Sequence, residues 1–480
     1  MTTPRYGVGI DFGTTNSTAA VYDGERVRLI GLEGNDPIMP SATYIDRELQ
    51  TVTGQRAIDR YIHDNTGRTV ELVPEVIGEI STFVGQTDGD NPAPVEAATK
   101  QIYGHPVVDS GLQGRLFRGT KRLLGDERVR RLMVFDHPFR LVALVTPILL
   151  RIHTALVHAL PSRPEVHGED REIAVDYGHL GHPVTFEGRD QYRNQTALAR
   201  LGEAYKYAGI SEQHFYPEPI AAAVSYLNAN PDAIGEHLLT LDFGGGTLDF
   251  CLLKRSAGGF QVLTTHGVAL GGDHIDQRLF RALLFPLLGK GETWRRRGMD
   301  REIETTFPFE EYEELLVNWA VSYTLNQNRY TTPVMDCVQQ AGKGAHKFRR
   351  LRELIKQNLS YVVFQAIKDF KAELSLHDEA VLDIPDIDVE VRLTRSDFEA
   401  LIADLLSEVE QALDRTLELA GLPAVEVQIV LCTGGSSLIP AVRRILQDRF
   451  GSRVVEHDPF TSVAAGLAIA NYHGLEARPH

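Results

Sequence analysis

The sequence predicts an α/β protein assembled from two related halves, and three observations predict it. Strand-like apolar runs alternate with helical patterns along the chain, as expected of sheets covered by helices. One strand–turn–strand unit occurs twice, as Gly9-Ile-Asp-Phe-Gly-Thr-Thr15 and as Leu241-Asp-Phe-Gly-Gly-Gly-Thr-Leu-Asp249. Gly/Thr/Ser turns directly follow apolar strands at Asp11–Ser17, Asp242–Asp249 and Thr433–Ser437.

In chain order, residues 6–30 read as two short strands, GVGID and TAAVYDG, joined by a tight Gly-Thr-Thr-Asn turn. Residues 84–94 and 289–301, rich in Gly, Pro or charge, read as loops. Helical patterns follow at 141–160 and 189–208, and a shorter helix at Pro219–Asn228. A second strand pair, LLTLDF and FCLLKR, occupies 238–255 around Gly244-Gly245-Gly246. The stretch 277–384 reads as mostly helical, with amphipathic runs at Phe309–Tyr323 and Leu351–Ser375. A strand at Ile387–Leu393 precedes Thr394, which can cap a helix over Arg395–Ala420. The apolar strand Val427–Cys432, the Gly-Gly-Ser-Ser turn and a helix come next, and a last helix runs from about Thr461 to Tyr472.

Composition narrows the function classes. With 480 residues, 43% apolar and 24% charged, the chain is long enough for two to four cores and unlike disordered or disulfide-stapled sequences. A net charge of −16 repels phosphate backbones and anionic lipid, so nucleic acid and membrane are not expected partners. Cys251, Cys337 and Cys432 are few, distant and odd in number, which points to free thiols in a reducing, cytoplasmic setting. The apolar run Leu141–Leu150 carries Pro147 between Arg140 and Arg151; at ten residues it reads as a core helix.

The three turns carry the chemistry. Glycines let backbone N–H groups close on an anion, and Thr or Ser hydroxyls add donors. An Asp at a strand end can hold Mg²⁺ through water, because that ion dehydrates reluctantly. Two Asp-bearing turns facing each other would clamp a Mg²⁺-triphosphate. Commoner phosphate motifs fail: Gly7-x-Gly9-x-x-Phe12 lacks the third glycine of a dinucleotide fingerprint. The Gly-Lys pairs at 289–290 and 342–343 are followed by glycine, so neither is a Walker loop.

The chain resembles the heat-shock-70 chaperones of the actin/sugar-kinase/chaperone ATPase superfamily. Gly9–Ser17 resembles the family's first phosphate motif and Leu241–Asp249 its second. Tyr216-Pro-Glu-Pro-Ile-Ala-Ala-Ala223 and Val463-Ala-Ala-Gly-Leu-Ala-Ile469 resemble its two connecting helices, and Gly434-Gly-Ser-Ser-Leu-Ile-Pro440 its adenosine motif. The resemblance implies the actin-like ATPase fold, with two ribonuclease-H-like lobes flanking a nucleotide cleft and helical insert subdomains. Lobe I would span 1–235 with an insert at about 40–140, and lobe II 236–457 with a helical insert at about 277–384. The helix within 458–480 would return to lobe I, with no peptide-binding domain, as in stand-alone members similar only to the ATPase domain.

By the same resemblance, ATP or ADP with Mg²⁺ are the expected ligands. Asp11, Asp242 and Asp249 would organise the metal. Gly13, Thr14, Thr15 and Asn16 would hold the β- and γ-phosphates from one lobe, and Gly244, Gly245, Gly246 and Thr247 from the other. Lys121 falls at the catalytic lysine, Glu218 would orient the attacking water, and Asp242 and Thr247 complete the catalytic group. Gly271, Gly272, Asp273, Lys371 and Ser375 match positions for ribose and base, with Gly434, Gly435, Ser436 and Leu438 in the adenosine motif. Three positions depart: Leu438 replaces the arginine that stacks on adenine, Lys368 an acidic residue, and Phe460 an aspartate. Base recognition is therefore expected to differ more than phosphate binding.

Other features read as structural. His179 and His182 lack a third metal ligand at matching spacing and read as a loop or core pair, and Trp294-Arg-Arg-Arg297 as a solvated loop. The function expected is a slow Mg²⁺-dependent ATPase acting as a nucleotide-controlled chaperone or switch, with a protein client or co-chaperone as partner. The alternatives are a nucleotide sensor with little hydrolysis and an actin-like filament protein; a small-molecule kinase fits least.

Overall fold

Two six-stranded sheets carry the fold in the computed structural model, which describes residues 6–84, 96–160, 175–187, 191–256, 259–297 and 302–478. The first is built from β1 (Gly7–Phe12), β2 (Asn16–Tyr22) and β3 (Val27–Leu29), followed after α1 (Leu141–Ala159) by β4 (Tyr177–His182), α2 (Arg193–Tyr207) and β5 (Glu212–Pro217). Its order is β5-β4-β1-β2-β3, with Met39–Pro40 pairing on β2, and α3 (Glu218–Ala229) follows β5. The second contains β6 (His237–Phe243), β7 (Leu248–Ser256) and β8 (Gly259–Val268), then α4 (Gly272–Leu279). It is completed by β9 (Ile429–Thr433), α5 (Pro440–Phe450), β10 (Val454–Glu456), α6 (Ser462–His473) and β11 (Glu476–Arg478). Its order is β10-β9-β6-β7-β8-β11, so five strands repeat the arrangement of the first sheet and β11 is an addition.

The register repeats as well. β1 runs antiparallel to β2 and parallel to β4; β6 runs antiparallel to β7 and parallel to β9. Asp11 stands opposite Thr18, and Asp242 opposite Asp249. The central strands are apolar on both faces, as expected where helices cover both sides of a sheet. Helix α6, composed largely of small residues, is buried nearly all round and packs on both β1 and α3. Only glycine fits at these approaches: a β-carbon on Gly9 would lie 2.3 Å from the Ala464 carbonyl oxygen, and one on Gly466 just 1.7 Å from that of Ala221.

By internal contacts the chain divides into two units. One comprises residues 1–63, 114–287 and 362–480 and contains both sheets; the other comprises 64–113 and 288–361. The second unit centres on the buried rings of Phe307, Phe309, Tyr312 and Phe348, where Phe307 meets Phe348 at 4.8 Å between centroids.

Several sequence expectations are corrected. Within 289–301, Thr293–Arg297 is a strand that pairs with Glu302–Thr306. The run Leu351–Ser375 is two helices, Ala345–Lys356 and Ser360–Leu376, separated where Asn358 takes φ 53°. In Phe309–Tyr323 the α-helix covers only Glu310–Leu316. Residues Glu379–Ile384, expected to be helical, pair with Val389–Thr394 as a hairpin. Thr394 does cap its helix, its hydroxyl accepting from Asp397 N–H at 3.2 Å, although that helix breaks at Ile402 into Arg395–Leu401 and Ala403–Ala420. Of the loop expected at 84–94, Val84 ends a strand and the rest lies outside the described residues. Of the loop-or-core reading of His179 and His182, the core alternative holds for His179: both sit on β4, and His179 is buried and stacks on Tyr216 at 5.1 Å.

Candidate active site

The two repeated hairpin turns face each other. A β-carbon on Gly245, in the turn between β6 and β7, would lie 3.1 Å from Thr15 Oγ1 in the turn between β1 and β2. The second turn is closed by Gly244 N–H donating to the Thr247 carbonyl at 3.1 Å. Helix α4 seats on it, with Gly272 N–H donating to Gly244 O (2.9 Å) and Asp273 N–H to Gly245 O (2.8 Å). The third turn leans on the second: Gly434 has φ 78°, and a β-carbon there would meet the Phe243 carbonyl at 2.5 Å and Asp242 Oδ1 at 2.6 Å.

These turns line a cleft of about 600 Å³. Asp11, Gly13, Thr14, Thr15 and Asn16 line it from one sheet, with Lys121 and Glu218 beside them. Asp242, Gly244, Gly245, Gly246, Thr247 and Asp249 line it from the other. Gly272, Asp273, Lys371, Ser375, Gly434, Gly435, Ser436 and Leu438 complete the sequence-derived set. Gly271 alone of that set does not line the cleft. It packs behind the second turn, where a β-carbon would lie 2.2 Å from Gly245 O, and its N–H donates to His274 Nδ1 at 3.0 Å.

Lys121 sits in a single 3-10 turn, Thr120–Leu123, entered through Gly119 at φ 63°. Its Nζ donates to Glu218 Oε1 at 2.6 Å, and the side chains are only 6% and 17% exposed. Glu218 opens α3 between Pro217 and Pro219, where the helix dipole favours a negative charge. Around this pair the carboxylates crowd. Burial first, then the charges of Asp249, Glu218 and Asp11, pushes Asp242 from 3.8 up to about 7. Burial and Glu218 raise Asp11 to about 7 against the opposing pull of Lys121, and burial raises Asp249 to about 6.

Four carboxylates facing one ammonium form a donor set that suits a hydrated divalent cation. Among the described residues no three His, Cys, Asp or Glu side chains form a cluster that could share an ion directly.

At the opposite end the cleft is more apolar. Leu438, Ile439, Phe460, Val463 and Leu376 line it, and Phe460 lies against Gly435, 3.0 Å from where a β-carbon would stand. Lys371 is already engaged: its Nζ donates to Asp276 Oδ1 at 2.5 Å and to Gly272 O at 3.3 Å. Asp276 is 1% exposed, its Oδ2 has no hydrogen bond among the described residues, and burial raises its pKa while Lys371 lowers it. The sequence reading missed Asp276, whose signal was its place one turn beyond Gly272-Asp273 on the same helix. It also missed two cations. Arg443 of α5 lines the end where Leu438 stands and pairs with Glu456 at 2.7 Å. Arg122, held by Glu187 at 2.6 Å, lies with Nη2 3.2 Å from where a β-carbon of Gly246 would stand.

Paired sheets of the same order, facing hairpin turns and a helix from each half packed together define a two-lobed ATPase fold of the actin type. The Hsp70 protein family model matches residues 190–287 and 315–472, and the chain belongs to the Hsp70 family. The heat shock 70 kDa protein BIP3 of Oryza sativa subsp. japonica is 25% identical over 96% of this chain and 56% of its own length. The chaperone protein DnaK of Deinococcus proteolyticus is 26% identical over 96% and 58% respectively. The chaperone protein HscA of Pectobacterium atrosepticum is 25% identical over 97% and 58%. The chain thus spans a little over half the length of these curated relatives.

Proposed function

We propose that this chain binds ATP and ADP with Mg²⁺ between its lobes and hydrolyses ATP slowly, acting as a nucleotide-controlled chaperone or switch. The observation that carries this reading is the buried Lys121–Glu218 pair, set among Asp11, Asp242 and Asp249 beside two facing glycine turns. The backbone N–H groups of Gly13–Asn16 and Gly244–Thr247 would grip the β- and γ-phosphates from both sides. Bound Mg²⁺ would neutralise phosphate charge. Asp11, Asp242 and Asp249 would take hydrogen bonds from its waters and orient it. Lys121 would stabilise the charge that develops on the transferring phosphoryl group, and Glu218 would orient the attacking water. Thr247 would add a hydroxyl to the second turn. Gly272, Asp273, Lys371, Ser375, Ser436 and Leu438 would bound the nucleoside, with Leu438 and Phe460 offering apolar surface to the base. Long-lived nucleotide states suit a switch whose lobes, proposed at 1–235 and 236–457, open and close on the cleft.

A protein client and a resetting co-chaperone are the proposed partners, and the three buried free cysteines favour a reducing compartment. Single-turnover hydrolysis with and without Mg²⁺ tests the reading: metal-dependent phosphate release is expected, and its absence at saturating ATP would reject the enzyme. A second reading, a nucleotide sensor with little turnover, draws on the engagement of Lys121 by Glu218 at 2.6 Å. Calorimetric ATP binding without phosphate release would favour that reading.

A further inference from the structure

A second large concavity, about 1040 Å³, lies away from the cleft, between α1 and the strand Thr51–Thr53. Three features define it. The first is an open strand edge. Thr51–Thr53 ends a three-stranded sheet whose neighbouring strand is Ala42–Asp46. Gly54 N–H donates to Ala42 O at 3.0 Å and Asp46 N–H to Gln50 O at 3.1 Å. Thr51 and Thr53 fall between those bonded pairs, so antiparallel geometry turns their N–H and C=O groups outward. Arg151 Nη1 already donates to the Thr53 carbonyl at 2.8 Å. The Thr51 N–H, the Thr51 carbonyl and the Thr53 N–H remain directed at the groove.

The second feature is apolar. The inner face of α1 is core, from Leu141 to Leu156, but Ala143, Pro147 and Leu150 run at helical spacing along the groove wall. Leu150 is 48% exposed, and Tyr207 on the rim is 63% exposed. The third is charge. Arg56, Arg140, Arg151 and His158 line the groove and no Asp or Glu does, in a chain of net charge −16. Glu203 and Glu33, outside the lining, pair with Arg140 and Arg151. Arg56 has no ion pair among the described residues.

We propose that this groove docks an extended, acidic segment of a partner protein, one whose apolar residues alternate with Asp or Glu. The segment adds a strand to Thr51–Thr53, sets its apolar face on Leu150 and Pro147, and turns its carboxylates to the arginine rim. Main-chain pairing supplies affinity in such an addition, and alternate side chains supply specificity. The same charge complementarity disfavours basic segments.

A fluorescein-labelled decapeptide of alternating Leu and Glu, titrated by anisotropy against the whole chain, tests the proposal, with alternating Leu and Lys as the control peptide. The Leu-Glu peptide is expected to bind with a Kd of about 10 μM, weakening as salt rises. Leu150→Glu should weaken it roughly tenfold by placing a carboxylate in the groove. Thr51→Pro, which deletes an outward N–H and no bond to Ala42–Asp46, should weaken it severalfold. Arg56→Glu should reverse the preference between the two peptides. Equal binding of both peptides, or indifference to Leu150→Glu and Thr51→Pro in variants that keep the parental melting temperature, would overturn the proposal. So would a dimer in sedimentation velocity that Leu150→Glu dissolves, because the groove would then belong to a second copy. Leu150-dependent binding to phosphatidylcholine/phosphatidylserine vesicles without peptide binding would overturn it as well.

Discussion

The two sheets share a strand order and a hairpin register, yet the same register position carries different chemistry in each. Opposite Asp11 the first sheet has Thr18, buried and with no hydrogen bond to its hydroxyl among the described residues. Opposite Asp242 the second has Asp249, which opens into the cleft. The first half brings in its ammonium and second carboxylate from elsewhere, Lys121 from a 3-10 turn and Glu218 from the start of α3. The second half instead adds a third glycine turn and the end of α4. Duplication thus supplies a matched pair of turns that line one cleft. Under the proposed function, divergence would assign the reaction chemistry to one and additional negative charge and nucleoside contacts to the other.

Breaking the first half should cost most. Lys121→Ala is expected to lower single-turnover hydrolysis by about two to three orders of magnitude while nucleotide affinity changes little. An unchanged rate would move the chemistry out of the first half. The seam between the halves comes next. Gly466→Val pushes a side chain into the Ala221 carbonyl, and a loss of about 3 kcal/mol by denaturant unfolding is expected. A neutral outcome would mean that α3 and α6 do not press together as described.

The second half is sharpened by pH. Asp242 titrates at 3.8 in an unfolded chain and at about 7 in the fold, so the folded state holds the extra proton. Its contribution favours the fold at low pH and is withdrawn as pH rises from about 4 through about 7. Asp242→Asn should therefore stabilise the nucleotide-free protein at pH 8 relative to the parent, and not at pH 4, while lowering Mg²⁺-dependent ATP affinity about tenfold or more. Thermal melts at the two pH values and calorimetry read both arms. The smallest effect is expected at the Leu438 end of the cleft, where the nucleoside is proposed to sit. Leu438→Arg should change ADP affinity by no more than about fivefold, because Arg443 already brings a guanidinium to the same wall. A larger gain would identify Leu438 as the residue limiting base binding.

Much of this site is legible in the sequence. The three turns are local in sequence, each a Gly/Thr/Ser run directly after an apolar strand and two of them carrying an aspartate, so their position and their lining of a single cleft were legible. What stayed hidden depends on distant pairing or on which face of a helix turns inward. Lys121 and Glu218 are each expected at the site, but they are 97 positions apart and their ion pair is not legible. Asp276 and Arg443 look like ordinary polar positions on amphipathic helices until packing turns them inward. The hairpin at 293–306 was concealed by its composition. Its basic strand faces an acidic one, with Arg295 opposite Glu304, and cross-strand charge pairing gives it a logic that hydrophobic alternation does not. The break at Asn358 was invisible to periodicity because the apolar pattern continues through it.

The last described segment has a consequence for how the chain acquires its shape. Helix α6 covers β1, with the buried Val8 N–H donating to Asn471 Oδ1 at 3.0 Å across 463 positions of sequence, and the next residues, β11, zip onto β8 of the other sheet. During synthesis the opening strand must therefore wait, one flank bare, until α6 has emerged more than 400 residues later. Neither half can finish alone, and joining the two carries a loop-closure penalty.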